Sequence, residues 1–158
     1  MDISTGDILK DMRAELEKRD LIPDCMHHLK TNVASTSSIF DKPIYTANSE
    51  FNINMDNPQI FYFIGCMSAK HRPEMVRAHI AILKKLGIPF ATKFADRVCC
   101  GSPVNKVGYR TVMKGLAAKN KALIESTMAG LVISDCPACA EMLNTAYPEY
   151  GFPLKPKV

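Results

Sequence analysis

Five of the six cysteines in this 158-residue chain stand in a pattern that could hold a metal centre: Cys66, then Cys99 and Cys100 after 32 intervening residues, then Cys136 and Cys139 after another 35. Thiolates are soft ligands and good nucleophiles, so such a set can bind zinc, build an iron–sulfur cluster, close disulfides or exchange thiols. Cys136-Pro137-Ala138-Cys139 by itself has the spacing of a zinc half-site and of a thioredoxin-type pair. The sixth cysteine lies in Asp24-Cys25-Met26-His27-His28, where neighbouring side chains do not face one point, and Cys25 reads as a free thiol.

Each cysteine group follows a segment of strand character. IFYFIG is apolar, aromatic and closed by glycine, and it leads directly into Cys66. PFATKFADRV alternates well enough to be a second strand, delivering Cys99-Cys100-Gly101 at its end, and GLVISD is a short third strand before Cys136. Helices separate them. Pro73 and Glu74 suit a first turn, Val76, Ile80, Leu83 and Leu86 form one apolar face, and Gly87 stands where a left-handed stop belongs. A longer helical stretch from about Val107 to Met128 carries Val112, Leu116, Leu123 and Ile124 and exits at Gly130, and Cys136 opens a last helix through Glu141, Met142 and Leu143.

Ahead of this body, residues 4–19 read as a helix: Ser4 and Asp7 resemble a capping box, Ile8, Leu9, Met12 and Leu16 recur at helical spacing, and Pro23 follows. From residue 24 to 57 the periodicity dissolves into TNVASTSS, Pro43 and a run of Asn, Ser and Asp, the pattern of an extended arm. Loops of that length are uncommon inside a domain, so the arm is expected to lie across a partner or to connect two bodies. The fold class is α/β, a mostly parallel sheet with flanking helices plus an amino-terminal helix and arm. Residues 1–57 form the docking part and 58–158 the cysteine-rich domain.

Both long cysteine gaps match one β-to-α-to-β excursion of roughly 30 residues. In a parallel sheet with right-handed crossovers the strand-to-helix loops emerge along one edge, so the five thiols are expected to meet there. Disulfides fit badly with five converging sulfurs and the vicinal pair, and a thioredoxin-type role would leave three cysteines idle. Structural zinc needs only four sulfurs and is the serious competitor. Five thiolates, two of them adjacent and diverging, suit a larger body presenting several metal atoms, which points to an iron–sulfur cluster.

Gly65-Cys66, Val98-Cys99-Cys100-Gly101 and Asp135-Cys136-Pro137-Ala138-Cys139 together resemble the cysteine-rich CCG domain, found in the B component of heterodisulfide reductase and in iron–sulfur subunits of glycolate and lactate oxidation systems. The resemblance covers about residues 59–150 and implies that Cys66, Cys99, Cys100, Cys136 and Cys139 ligate a noncubane 4Fe-4S cluster or, in some members, a simpler metal. It also implies reduction of a disulfide, or electron transfer to a neighbouring redox subunit within a hetero-oligomeric complex, with a ferredoxin-like or flavin-containing partner as donor. MRAELEKRDLIPDCMHHLKTNV is similar to the segment that follows the ferredoxin-like domain in fused members, and no ferredoxin motif precedes it here, so the donor is expected on another subunit. The motif occurs once, whereas catalytic members of the family typically carry it twice.

Composition narrows the rest. The formal charge of +4 divides unevenly, with seven acids and four bases in residues 1–24 and a basic remainder. The bases are scattered and tryptophan is absent, which argues against nucleic acid. No apolar run reaches the roughly 18 residues of a membrane span, and the polar amino terminus lacks a secretory layout, so a cytoplasmic protein is expected. Lys70, His71, Arg72 and Lys106 flank the cysteine loops and could offset thiolate charge, His71 could deliver a proton, and His79 reads as a solvating side chain. Gly65 and Gly101 would let backbone approach the centre, and Pro103 and Pro137 would shape its loops.

Overall fold

Three consecutive aromatic residues, Phe61-Tyr62-Phe63, demand a strand covered on both sides, because alternate side chains leave a strand on opposite faces. The computed structural model describes residues 4–45 and 49–158. In chain order it has α1 (Thr5–Lys18), α2 (Asp24–Thr36), β1 (Ile60–Phe63), α3 (Cys66–His71), α4 (Pro73–Lys85) and β2 (Phe90–Ala91). There follow α5 (Ser102–Val107), α6 (Arg110–Ser126), β3 (Leu131–Ser134), α7 (Pro137–Glu141) and α8 (Tyr147–Glu149). The strands form one parallel sheet in the order β2-β1-β3, with Ile60 opposite both Phe90 and Leu131.

Central β1 divides the core in two. Phe61 and Phe63 point into a cluster with Val98, Cys99, Cys100, Val104, Met113, Leu116 and Tyr147, under α5 to α8. Tyr62 and Ile64 point the other way, into Val76, Ile80 and Leu83 of α4 together with Ile44, Tyr45, Phe51 and Phe94. The α4 face is the expected one except for Leu86, which is 65% exposed just before Gly87 reverses the chain at φ +65°. Lys157 pairs with the outer edge of β3, so the FPLKPKV tail is tied to the sheet.

The second strand is shorter than expected. It ends at Ala91, Lys93 takes a left-handed conformation, and a 3-10 turn at Phe94–Asp96 carries the chain inward, so Cys99 arrives from a bent loop and not from a strand end. The long helical stretch expected over 107–128 is α6, and a short additional helix, α5, precedes it and ends at Gly108 with φ +101°.

The arm also takes a different form. Asp24–Thr36 is helical, and the hydroxyls that look like loop formers are accommodated by bonding back within the helix: Thr31 to the carbonyl of His27, Ser35 to that of Thr31, Thr36 to that of Asn32. The remainder crosses the body and fills it, with Ile44, Tyr45 and Phe51 buried under the sheet. Thr92 stitches it down, its amide donating to the carbonyl of Ile53 and its hydroxyl to that of Phe51. Residues 46–48 of the expected arm, and 1–3 of the expected amino-terminal segment, lie outside the described residues. Helix α1 forms where expected, capped by the Ser4 hydroxyl, but it turns Ile8, Leu9, Met12 and Leu16 outward and buries Ala14.

Asn120 ties α6 to the second cysteine loop. Its side chain donates to the Cys99 carbonyl at 3.0 Å and to the Tyr147 hydroxyl at 2.9 Å, and it is fully buried. Replacing it strands the Cys99 carbonyl and the Val98 amide, which donates to Asn120 Oδ1 at 3.5 Å, away from water. Asn120→Ala is expected to cost about 2–3 kcal/mol of stability, checked by denaturant unfolding.

Candidate metal centre

Three loops bring the thiols to one rim of the sheet. Cys66 opens α3 after β1, Cys99 and Cys100 precede α5, and Cys136 caps α7 after β3, with Cys139 one turn further on. The first and third loops are laced together: the Gly65 amide donates to Asp135 Oδ1 at 2.6 Å, and the Ser134 hydroxyl donates to the Phe63 carbonyl at 2.9 Å. A side chain at position 65 would put its Cβ 2.7 Å from that of Cys136. The second loop is held by the Cys99 amide donating to the Ser37 carbonyl at 2.9 Å, by Asn120, and by the Tyr147 hydroxyl donating to the Cys100 carbonyl at 3.2 Å. Gly101 lets this loop turn at φ +93° under Met113.

The sulfurs meet in a file. Cys139 donates to Cys100 at 3.3 Å, Cys99 Sγ accepts from the Gly101 amide at 3.4 Å, and the five thiols act on one another's ionisation, Cys66 with Cys99, Cys99 with Cys100 and Cys136 with Cys139. Hydrogen bonds given to Cys100 and Cys66 hold the Cys99 thiol well above its ordinary pKa, and those to Cys100 and Cys136 do the same for Cys139. The acceptors move the other way. The bond from Cys99 lowers Cys66 against the opposing effect of burial, and the bonds from Cys139 and Cys99 take Cys100 well below the thiol range. The bond from Cys139, helped by the amides of Cys139 and Ala138, brings Cys136 to about 6.

A buried cation stands beside this file. Arg97 is 2% exposed, and its guanidinium lies 3.4 Å over the Phe63 ring, with the Phe94 and Tyr45 rings at 5.7 and 5.8 Å. Its Nε and Nη1 have no hydrogen-bond partner among the described residues. Its charge favours the thiolates of Cys66 and Cys100.

The family described as CCG, cysteine-rich domain, matches residues 60–144, which is more than half of the sequence and contains all five converging cysteines. The chain belongs to the CCG cysteine-rich family. It is 26% identical over 153 residues to a subunit of the fumarate reductase (CoM/CoB) of Methanothermobacter marburgensis, a match spanning 94% of this chain and 30% of that one. It is 31% identical over 96 residues to a subunit of the dihydromethanophenazine:CoB–CoM heterodisulfide reductase of Methanosarcina acetivorans, covering 59% of this chain and 24% of that one. An uncharacterized iron-sulfur protein of Methanococcus maripaludis is 21% identical over 148 residues, covering 91% and 30%. The chain thus spans less than a third of the length of these curated relatives. No solved structure matches it significantly.

In this CCG domain the charged and titratable residues that flank the cysteines in sequence are distributed differently from expectation. Lys70 sits 3.8 Å over the Phe40 ring, Arg72 pairs with Glu74, and Lys106 is exposed, so the cation acting on the thiols is Arg97. Arg97 is inconspicuous in the sequence because it lies in the alternating DRV segment that resembles a strand; its place just before the cysteine pair is the one available signal. His71 packs edge-on against Phe40, and His79 Nδ1 lies 3.0 Å from the Tyr62 hydroxyl. Cys25 is exposed on α2 and takes no part in the file. Pro103 and Pro137 occupy the first turns of α5 and α7, where no amide is needed.

Five soft donors in a file, three of them biased toward thiolate, beside a buried guanidinium lacking a partner at Nε and Nη1, fit an anionic multi-metal group such as an iron–sulfur cluster. Cys136, the least buried of the five, is expected to be alkylated first in metal-stripped Cys25→Ser protein. Its lowered pKa makes it reactive at neutral pH, with the rate falling as pH drops through about 6, as followed by mass spectrometry of iodoacetamide adducts. Gly65→Ala should force the first and third loops apart, costing about 2 kcal/mol and most of the bound metal, as measured by unfolding and metal analysis.

Proposed function

We propose that this chain is an iron–sulfur redox subunit of a heterodisulfide reductase-like complex, with Cys66, Cys99, Cys100, Cys136 and Cys139 ligating a noncubane 4Fe-4S cluster. The observation that carries the reading is the meeting of five mutually interacting thiols from three loops at one rim of the sheet. A cluster there would supply one-electron transfer. The chain's own residues would hold and shield it: Cys66, Cys99, Cys100 and Cys139 are buried, and half-buried Cys136 marks the side open to a donor or acceptor. The donor in this reading is a ferredoxin-like or flavin-containing subunit, and the acceptor a disulfide or a neighbouring redox subunit.

The outward apolar stripe of α1, Ile8, Leu9, Met12 and Leu16, supports a partner-docking role for the amino-terminal part. Among the described residues no helix is long and apolar enough to cross a membrane. All six cysteines are free, which suits the reducing cytoplasm.

Anaerobically purified protein should be brown and contain iron with acid-labile sulfide. Serine at any of the five positions should remove most of the iron, while Cys25→Ser leaves it in place. Colourless protein holding zinc would replace this reading with a noncatalytic assembly module. Turnover of a heterodisulfide with reduced dye, alone and with partner subunits, distinguishes a reductase from a pure electron carrier.

A further inference from the structure

Arg97 is the sole charged side chain among the described buried residues. A guanidinium cannot shed its proton in a protein, so burial strips its hydration without offering neutrality as an escape. No carboxylate of the described residues stands within ion-pair distance of it. The aromatic cage of Phe63, Phe94 and Tyr45 recovers part of the loss through the ring faces, but it leaves Nε and Nη1 without acceptors. A plain packing role would be served by methionine without that cost. The anions nearby are the thiolates: Arg97 lies two residues before Cys99, its aromatic cage includes Phe63 of the strand that leads into Cys66, and its charge favours the thiolates of Cys66 and Cys100.

We infer that Arg97 is the built-in counter-charge of the anionic group held by the five thiolates, a positioning residue that raises its potential and slows its loss. The inference rests on the iron–sulfur reading above. An ordinary cluster uses four thiolates, so a fifth adds one negative charge, and one fixed guanidinium offsets it. Because the guanidinium is excluded from water, salt does little to screen its effect. Removing the charge should favour the oxidised, less negative state and lower the midpoint; keeping a charge of different shape should preserve most of it.

The test compares loaded wild-type protein with Arg97→Met, Arg97→Gln and Arg97→Lys. EPR-monitored redox titration gives the midpoint, and anaerobic iron transfer to a chelator gives retention. Arg97→Met and Arg97→Gln are expected to shift the midpoint negative and release iron roughly tenfold faster, with little change in the shift between low and high salt, while Arg97→Lys stays close to wild type in midpoint. Wild-type midpoints in the two neutral variants, or a shift in Arg97→Lys as large as in Arg97→Met, would overturn the inference and leave the cluster standing. Should a neutral variant fail to fold, Arg97→Lys and the remaining one decide on the same terms. Wild-type protein without iron and sulfide would remove the functional reading and this inference together.

Discussion

The sulfur-to-sulfur contact between Cys100 and Cys139 joins residues 39 positions apart, and it exists because β2 and β3 both run parallel to β1 and the loop after β2 bends back to the same rim. Parallel pairing sends the chain out of each strand on the same side. Cys66 and Cys136 therefore start from the same rim, and the Gly65–Asp135 hydrogen bond fixes how closely. Cys99 and Cys100 reach that rim by a bent loop pinned from three sides, by Ser37 at the end of α2, by Asn120 of α6 and by Tyr147 of α8. Most of the buried polar contacts near the site serve this one placement.

Crowding five thiols has an electrostatic consequence. They cannot all ionise together at close range, so the Cys99 and Cys139 thiols are held above the ordinary range while Cys66, Cys100 and Cys136 are held below it. Arg97, caged by Phe63 from one core cluster and by Phe94 and Tyr45 from the other, tilts the balance toward negative charge. An arrangement that favours thiolates and supplies a cation to match is suited to a soft, anionic metal group.

Much of this was legible in the residues. The aromatic run at 60–64, the VRAHIAIL face of α4 and the short LVIS strand announced their elements, because buried parallel strands and amphipathic helices leave distinct patterns. The convergence of the thiols followed from the match between cysteine spacing and the length of a crossover. What escaped was decided by long-range packing. Asp24–Thr36 looked like a loop because its Ser and Thr residues can bond locally in either state, and in the fold they bond along the helix. Tyr45 and Phe51 looked like part of a free arm because the core they fill is built by residues 60–94. Arg97 looked like an alternating strand residue, since nothing local says that a bend after Ala91 will bury it.

The central claim is that all five sulfurs bind one body of iron. Anomalous diffraction from anaerobically grown crystals, collected on both sides of the iron absorption edge, tests it directly. Shared ligation predicts a single cluster of iron density in bonding contact with the sulfurs of Cys66, Cys99, Cys100, Cys136 and Cys139. Density touching only the Cys136 and Cys139 pair, or a signal at the zinc edge in place of the iron edge, would contradict it.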